Sequence, residues 1–266
     1  MPSSVIAGAS RGLGYGFLTH LASNPSNTVI GLIRDKSAVE TKLASDKVPT
    51  TNLHLLVADI TDASALRLAA AETAKLTGGK VDVLINNAAY FANDVTKVHQ
   101  YEPAAFAADI NASIAANVIG VQATISAFLP LLSSGSKVMT LSTGMADMVL
   151  INEYEVDNGV AYAISKAATN MLVAKYNASL GKKENILFFS ISPGYVDTSA
   201  GRAPPTEEEL ASMMEMGAKF VKYAPHFTGA LSVEDSVRMQ LEILGKATVE
   251  THGGVFISHL GNKQWL

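Results

Sequence analysis

The sequence contains no cysteine, and this absence removes several kinds of chemistry. A chain without cysteine forms no disulfide, offers no thiolate nucleophile and holds no metal through sulfur. Charged residues are also scarce, at 17 % of the 266 residues, and the net charge is −4. Since no cluster of lysine and arginine stands out, we expect no non-specific binding to nucleic acid. The first residues lack the pattern of a signal peptide, and the missing cysteine fits a reducing compartment, so we expect a cytoplasmic protein.

Metal chemistry and a membrane span are both disfavoured. The six histidines, at positions 20, 54, 99, 226, 252 and 259, are scattered and form no His-x-x-x-His pair. We therefore expect no metal site. The stretch Ile110–Ser136 carries no charge but includes Asn111, Asn117, Gln122 and Pro130, a poor pattern for contact with lipid. It predicts a helix buried in the fold or at a subunit interface.

Apolar residues make up 48 % of the chain, which is enough for a large core. Short apolar runs alternate with longer helical patterns, and this rhythm predicts right-handed crossovers and a parallel sheet covered on both faces. We expect one α/β domain over residues 1–266, with a doubly wound, Rossmann-type sheet of seven strands. The predicted strands are Ser3–Ala7, Thr28–Ile33, Leu53–Ala58, Val81–Asn86, Lys137–Ser142, Asn185–Ile191 and Gly254–Ser258. The predicted helices are Leu13–Ser23, Ala38–Ser45, Ala63–Thr77, Pro103–Leu132, Ala161–Leu180 and Val233–Leu244.

Two segments, residues 147–159 and 199–232, break this rhythm and are long for simple connections. Both are candidates for covering a substrate. The first is acidic, which would suit either a solvated loop or the rejection of anionic substrates. In the second, three consecutive glutamates at 207–209 suit a helix N-terminus, and the methionines at 213, 214 and 216 suit either the core or an adaptable apolar pocket.

A glycine-rich turn follows the first predicted strand. It reads Gly8-Ala9-Ser10-Arg11-Gly12-Leu13-Gly14 and leads directly into a helix. Glycine permits positive φ and lets the backbone approach a ligand closely, and the N–H groups of the helix would then face a pyrophosphate. Tight turns need glycine in any case, so the position at the first strand–helix junction is what favours nucleotide binding.

The end of the second strand bears on the choice between NAD and NADP. An acidic residue there normally binds the ribose 2′-hydroxyl, whereas arginine accommodates a 2′-phosphate. Arg34 comes first at this strand end, and Arg11 lies within the glycine turn. Two guanidinium groups favour a phosphate dianion, so we expect NADP. Asp35 is the competing observation, unless it only caps the second helix.

Tyr162 and Lys166 are four residues apart and therefore lie on one face of a helix. A phenol is a poor acid–base group at neutral pH, but a neighbouring ammonium and a positive nicotinamide ring would lower its pKa. Taken alone, such a pair is more often found on a solvated helix surface. The pair indicates a catalytic site only when it occurs together with the other motifs of the sequence.

Over nearly its whole length the sequence resembles the short-chain dehydrogenases/reductases of the single-domain branch. The resemblance rests on six motifs in the family order, and the matching residues are Gly8, Gly12 and Gly14; Asp59 and Ile60; Asn86, Asn87, Ala88 and Ala89; Asn117; Tyr162 and Lys166; and Pro193, Gly194, Val196 and Thr198. It implies a Rossmann fold, a nicotinamide cofactor, a carbonyl or alcohol substrate, and a homodimer or homotetramer that pairs through the helices of Asn117 and Tyr162.

The resemblance also implies a role for each residue. Tyr162 would donate the proton in reduction, and Lys166 would hold the nicotinamide ribose and lower the pKa of the tyrosine. Asn117 would anchor a water that links the lysine to solvent, unless it is only a packing amide. The cofactor-binding residues would be Gly8, Ser10, Arg11, Gly12, Leu13, Gly14, Arg34, Asp59, Ile60, Asn87, Ala88, Ala89, Tyr162, Lys166, Pro193, Gly194, Val196 and Thr198, of which Ile60 fits the core equally well.

The sequence departs from the family pattern at two places. Ala89 stands where the family usually has glycine, and alanine fits there if φ stays negative. At the end of the fifth strand relatives show two serines and use the second, whereas this chain has Ser142 followed by Thr143. Neighbouring strand residues point to opposite faces, so one hydroxyl reaches the substrate. Thr143 is favoured by alignment, and Ser142 stays open.

These observations predict an NADP-dependent carbonyl reductase, or alcohol dehydrogenase in the reverse direction. Hydride would pass between the nicotinamide and the substrate carbon, with Tyr162 as general acid or base. An apolar, uncharged carbonyl compound is the preferred substrate class. The main alternative is a sensor or scaffold that binds NADP without turnover. An epimerase or dehydratase would need a larger substrate domain.

Overall fold

The computed structural model describes residues 2–91, 95–200 and 203–266. Seven strands form one sheet, in the order β3-β2-β1-β4-β5-β6-β7, and every neighbouring pair is parallel. The strands are β1 Ser3–Ala7, β2 Thr28–Ile33, β3 Leu53–Val57, β4 Val83–Asn86, β5 Lys137–Leu141, β6 Leu187–Ser192 and β7 Phe256–Ser258. The predicted doubly wound, seven-stranded parallel sheet is confirmed.

Helices cover both faces of the sheet. They are α1 Gly12–Ala22, α2 Lys36–Ser45, α3 Ala63–Thr77, α4 Pro103–Ile114, α5 Val121–Phe128, α6 Met148–Tyr154, α7 Val160–Tyr176, α8 Lys182–Glu184, α9 Glu207–Tyr223, α10 Val233–Lys246 and α11 Val249–His252. Successive side chains of β1 enter different cores: Val5 and Ala7 join one apolar cluster, whereas Ile6 joins the cluster on the opposite face. A sheet buried on both faces explains why its strands read as continuous apolar runs.

The strand ends differ slightly from the prediction. The sixth strand begins at Leu187 and not at Asn185, because Asn185 has φ +52° and closes the preceding helix in the left-handed region. A residue in that region cannot continue into a strand. Helix α7 likewise ends at Tyr176, and a wider π-helical turn, Asn177–Gly181, follows it.

The predicted helix Pro103–Leu132 is helical but interrupted. A π-helical turn, Ala115–Gly120, separates α4 from α5, and Leu129–Leu131 is a short 3₁₀ turn. By length and composition, the stretch Pro103–Leu131 could cross a membrane. One such helix is weak evidence for a membrane span, because buried core helices have the same composition. In the fold it is the crossover between β4 and β5, with Ile125 and Phe128 fully buried in the core.

The two segments that break the sequence rhythm contain helices that were not predicted. Asp147 accepts hydrogen bonds from the N–H groups of Val149 and Leu150 and so begins α6. Thr206 and Glu209 form a reciprocal capping box at the start of α9, in agreement with the glutamate run. Gly201 and Arg202, within the segment 199–232, lie outside the described residues.

The strand order reverses beside β1. The chain runs outward from β1 through β2 to β3, and then returns to place β4 on the other side of β1. In open parallel sheets this reversal creates a crevice at the carboxyl ends of the strands, where ligands bind. The residues that follow β1, β4, β5 and β6 therefore share one edge.

Candidate active site

The glycine turn after β1 packs tightly against the loop after β4. Gly8 has φ +82°, and a Cβ built on it would lie 2.7 Å from Ala88 Cα. A Cβ on Gly14 would overlap the Gly8 carbonyl oxygen and the Asn87 side chain. Asn87 Nδ2 donates a 2.8 Å hydrogen bond to that same carbonyl oxygen. Only glycine fits these positions, so Gly8, Gly14, Asn87 and Ala88 form one cradle.

Helix α1 begins at this cradle without a side-chain cap. Arg11 occupies the N-cap position, and its side chain makes no capping hydrogen bond to the N–H groups of the first turn. A pyrophosphate is the kind of group that such a helix end binds. Ser10 is half-buried, Arg11 is exposed and Leu13 packs on the core, so the turn presents backbone and a guanidinium outward. These residues fit a dinucleotide.

The end of β2 presents arginine and not a free carboxylate. Asp35 Oδ1 accepts a 3.0 Å hydrogen bond from Ala38 N–H and caps α2. Arg34 has a side chain that is 79 % exposed and lies 4.0 Å from Asp59 Oδ2. Hydrogen bonds from the Thr61 backbone and hydroxyl, with a smaller contribution from Arg34, lower the pKa of Asp59. Asp59 therefore stays ionised beside the expected adenosine site.

The two remaining residues of the Asn-Asn-Ala-Ala motif are Asn86, the last residue of β4, and Ala89 in the loop that follows. Asn86 Nδ2 donates to Thr140 Oγ1 at 3.1 Å and so ties β4 to β5. The described non-glycine residues with positive φ are Lys47, Glu155 and Asn185, and Ala89 is not among them. The condition under which alanine fits position 89, a φ that is not positive, is therefore met.

Asn117 is completely buried in the π-helical turn. Its Oδ1 accepts from Tyr90 N–H at 2.7 Å, and its Nδ2 donates to Tyr90 O at 2.9 Å and to Ser165 Oγ at 2.8 Å. Its backbone carbonyl accepts from Thr169 Oγ1 at 2.8 Å. Asn117 thus fastens the loop after β4 to helix α7.

Gly120, one turn beyond Asn117, lets this helix approach the loop after β3. A Cβ on Gly120 would lie 2.9 Å from Ile60 Cδ1. Ile60 is half-buried and packs against the second core cluster. Ile60 was expected either to bind the cofactor or to belong to the core. The contacts that its side chain makes are those of a core residue.

Tyr162 and Lys166 lie on α7 at the same edge of the sheet. The Lys166 Nζ is 5.7 Å from the centroid of the Tyr162 ring and donates a 2.7 Å hydrogen bond to the carbonyl oxygen of Leu141 at the end of β5. Lys166 is 1 % exposed, whereas Tyr162 is half-buried. The ring of Phe91 contacts Tyr162 edge-on, with 4.7 Å between centroids. The phenol therefore lies between a buried cation and an exposed aromatic ring.

Burial moves the pKa values of this pair in opposite directions. It raises the pKa of Tyr162 to about 12 and lowers the pKa of Lys166 to about 8. The expectation that the lysine and a positive nicotinamide ring lower the pKa of the phenol stays a prediction for the complex with cofactor, whereas in the protein alone the pKa of the phenol is raised. The reason is that desolvation disfavours the charged form of each group, while the ammonium points at Leu141 O and not at the phenol oxygen.

The two candidate hydroxyls after β5 occupy different environments. Ser142 is 2 % exposed, and its Oγ is buried without a hydrogen-bond partner among the described residues. Thr143 is half-buried, and its Oγ1 accepts a 3.2 Å hydrogen bond from Met145 N–H. A hydroxyl that accepts in this way keeps its own O–H free to donate. Thr143 is the more accessible of the two.

The loop after β6 reaches back to the glycine turn. A Cβ on Gly12 would lie 3.4 Å from Thr198 Cγ2, so these two residues are adjacent. Val196 pairs with Leu231 in an isolated parallel bridge, and Ser236 Oγ donates to Pro193 O at 2.7 Å. Gly194 has φ +84° and a Cβ there would lie 2.8 Å from His259 Cε1. Contacts with Leu231, Ser236 and His259 thus fix the loop after β6, which is expected to lie beside the nicotinamide.

Several residues of this edge were missed from the sequence. Phe91 is 54 % exposed beside Tyr162, and Gly159 at the start of α7 leaves room for Met145 and Phe91. Trp265 is 4 % exposed and packs with Leu150 and Val156 beneath α6. These are tertiary contacts between loops, which no local pattern predicts. Among the described residues, no group of three or more His, Cys, Asp or Glu side chains could hold a metal ion.

Comparisons with known proteins agree on one family. A sequence profile described as short chain dehydrogenase matches residues 3–209. The chain is 51 % identical to the short-chain dehydrogenase/reductase AacuF of Aspergillus aculeatus and 44 % identical to the short chain dehydrogenase virK of Hypocrea virens, covering 100 % of both chains in each case. Among solved structures it is similar to the NADPH-bound carbonyl reductase from chicken fatty liver, with 23 % identity, a TM-score of 0.75 and 98 % coverage of both chains.

Proposed function

Because the chain belongs to the short-chain dehydrogenase family, and is thus an NAD(P)-dependent oxidoreductase, we propose that it reduces a small-molecule carbonyl compound with NADPH. One observation carries the proposal: a phenol and a buried ammonium lie one helical turn apart at the crevice where the sheet order reverses. NADPH supplies the hydride when bound. Every other part of the reaction falls to side chains at this edge.

The proposed roles follow from the hydrogen-bonding capacity of each group. The O–H of Thr143 would donate to the substrate carbonyl oxygen, since its acceptor side is occupied by Met145 N–H. Tyr162 would donate its proton as negative charge develops on that oxygen. Lys166 uses one N–H on Leu141 O and keeps two for ribose hydroxyls.

The pKa of Tyr162 favours the direction of reduction. With a pKa of about 12 the phenol is protonated at neutral pH and can act as an acid. Oxidation of an alcohol requires the phenolate, which the positive charge of an oxidised nicotinamide and of Lys166 would stabilise. The proton donor is therefore ready before substrate binds, whereas the base must be generated.

Two observations support NADP over NAD. The carboxylate of Asp35 is used as a helix cap, so it is not free to bind a ribose 2′-hydroxyl. Arg34 and Arg11 are both exposed at the adenosine end of the crevice and can form forked hydrogen bonds to a 2′-phosphate. The similar chicken liver carbonyl reductase binds NADPH, in keeping with this assignment.

The cleft beside Tyr162 favours an apolar, uncharged substrate. Phe91 presents an exposed aromatic ring, and Tyr90 is 40 % exposed next to it. The acidic residue Asp157 is paired with two lysines and offers no free charge to a ligand. We also propose that the protein is cytoplasmic and that it forms a dimer through the helices of Asn117 and Tyr162.

Replacement of Tyr162 by phenylalanine tests the proposed function. NADPH oxidation is followed by absorbance with a panel of aldehydes and ketones. Loss of a general acid should lower kcat by about 10²–10⁴-fold, while NADPH binding changes little. Tyr176→Phe, on the same helix but away from the crevice, is the matched control. Tyr162→Phe turning over as fast as the parent would overturn the acid role, and tight NADPH binding without turnover by the parent would favour a sensor.

A further inference from the structure

Four charged side chains form a closed ring of ion pairs beside the proposed substrate cleft. The Lys97 Nζ lies 3.0 Å from Asp157 Oδ2 and 3.1 Å from Glu215 Oε1. The Lys219 Nζ lies 2.6 Å from Asp157 Oδ1 and 2.9 Å from the same oxygen of Glu215. Each cation thus touches both anions. We call these four residues the ion ring.

The ion ring connects three parts of the chain that are distant in sequence. One member follows β4, one lies in the turn that leads into α7, and two lie one helical turn apart on α9. The ring borders a cavity of about 240 Å³ that Met216 and Val95 also line. Asn158 Nδ2 donates to Ser212 Oγ at 3.3 Å and adds a second link between the turn and α9.

The other attachments of helix α9 are the packing of Met216 against Leu150, Val156 and Trp265, and the aromatic contacts of Phe220 and Tyr223 near its C-terminal end. Phe220 is its one buried residue, whereas Leu210, Met213 and Met214 are 49–71 % exposed. An element with little buried apolar surface opens at low free-energy cost. The ion ring and the packing of Met216 are therefore the contacts that hold the middle of α9 in place.

The turn held by the ion ring leads directly to the reacting groups. Gly159 follows Asp157 closely and starts α7, and its neighbours Met145 and Phe91 lie against it. Phe91 in turn contacts the ring of Tyr162. A shift of α9 at the ion ring would therefore move the wall of the cleft next to the phenol.

We propose that the ion ring holds α9 closed over the cleft, so that Asp157 and Lys219 are positioning residues for the substrate. This inference rests on the proposed function, because the reaction at Tyr162 is what gives the position of α9 its consequence. If only the closed arrangement binds substrate well, the apparent affinity falls with the fraction of molecules that are closed. The chemical step of a bound substrate is left unchanged.

Hydrogen exchange and steady-state kinetics on Lys219→Met test this proposal. Amide exchange in peptides spanning 207–223 and 153–160 should accelerate, while peptides from α10 keep the exchange rate of the parent. With NADPH and a responsive carbonyl substrate, KM should rise about three- to tenfold, whereas kcat should stay within about twofold. Because the ring is partly exposed, added salt should raise KM in the parent and not in the variant.

Two further variants separate the ion ring from a general loss of structure. Lys219→Arg keeps the charge and should restore both the exchange rate and KM. Lys222→Met removes a lysine from the same helix for which no ion pair with a described residue is found within 4.0 Å, and it should behave like the parent. Asp157→Asn should reproduce Lys219→Met, and the double variant should add little to either, since the two share one contact.

The outcomes distinguish this inference from the proposed function. Unchanged exchange in 207–223 for Lys219→Met overturns the ion ring as the attachment of α9. Faster exchange with an unchanged KM overturns its role in substrate positioning. A parent enzyme that turns over no carbonyl compound overturns the proposed function, and the exchange data then still decide whether the ion ring holds α9.

Discussion

Two adjacent hydroxyls follow β5, and the fold treats them differently. Ser142 Oγ is enclosed without a partner among the described residues, whereas Thr143 Oγ1 accepts from Met145 N–H and can still donate. Because side chains alternate along a strand, we propose that only one of them reaches the cleft. The sequence left this choice open, and the structure supports Thr143 through its exposure.

We predict that Thr143→Ala lowers kcat by about 10²–10³-fold, because a donor to the developing oxyanion is lost. Thr143→Ser should retain most of the activity, and Ser142→Ala should lower it far less. Steady-state kinetics with one carbonyl substrate, together with melting temperatures, checks this. A Ser142→Ala variant that is more impaired than Thr143→Ala would reassign the hydroxyl.

A second prediction at the level of single residues concerns Arg34, whose guanidinium is proposed to bind the 2′-phosphate of NADPH. Removing a hydrogen bond to a charged group costs about 1.5–3 kcal/mol. We therefore predict that Arg34→Ala raises the KM for NADPH by about 10–100-fold and leaves the KM for NADH nearly unchanged. The ratio of kcat/KM for the two cofactors is the measurement, and Arg67→Ala on α3 is the control. An equal loss with both cofactors would contradict recognition of the 2′-phosphate.

At the scale of the element, α7 carries both the acid and the cation, and its packing sets their pKa values. Lys166 is protonated below its pKa of about 8 and becomes neutral above it, while Tyr162 stays protonated to a pKa of about 12. Reduction needs Tyr162 protonated as the proton donor and Lys166 charged, so that all three of its N–H groups can bind. We predict that kcat/KM for reduction is constant near pH 6–7 and declines above about pH 8. A pH profile in constant ionic strength checks this, and a profile that is flat to pH 10 would contradict it.

The regular elements were largely predictable, because a strand buried on both faces has a continuous apolar pattern. The ends of strands depend on turn residues such as Asn185, whose positive φ is a property of the tertiary turn. Helix α6 was missed because it is short, and only the start of α9 was indicated, by its run of glutamates, because few of its residues are buried. Their capping residues, Asp147 and Thr206, were the available signal.

The site was predictable to the extent that it is built from local motifs. The glycine turn, Tyr162 and Lys166 were identified from spacing and order. The burial that raises the pKa of Tyr162 in the protein alone was not predicted, because burial is not visible in a spacing. The ion ring was invisible for a similar reason, although Glu215 and Lys219 have the i, i+4 spacing of a helical ion pair.

At the scale of the whole molecule, one face carries exposed apolar side chains that the single chain leaves uncovered. Ile119 is 59 % exposed in the π-helical turn, and Ile164 and Met171 are 44 % and 61 % exposed on α7. Met171 follows Ile164 by two helical turns, so both lie on one face. This face belongs to the helices through which we propose that two copies pair.

We predict that the parent sediments as a dimer or larger at micromolar concentration and that Met171→Lys shifts it to the monomer. Burying an unpaired ammonium at an apolar interface is strongly unfavourable. Leu68→Lys, at a residue that is 71 % exposed on α3, is the control and should leave the sedimentation unchanged. A parent that sediments as a single monomeric species would contradict the proposed dimer.

The packing of Trp265 gives the molecule an optical property of its own. It is the single tryptophan of the chain, its ring stacks on Phe256 with 4.5 Å between centroids, and its backbone N–H donates to Tyr223 Oη at the last residue of α9. All indole emission therefore arises from the base of α9, the helix that we propose covers the cleft. Fluorescence of the unlabelled protein thus reports on that one place, and α9 needs no attached dye for its motion to be followed in solution.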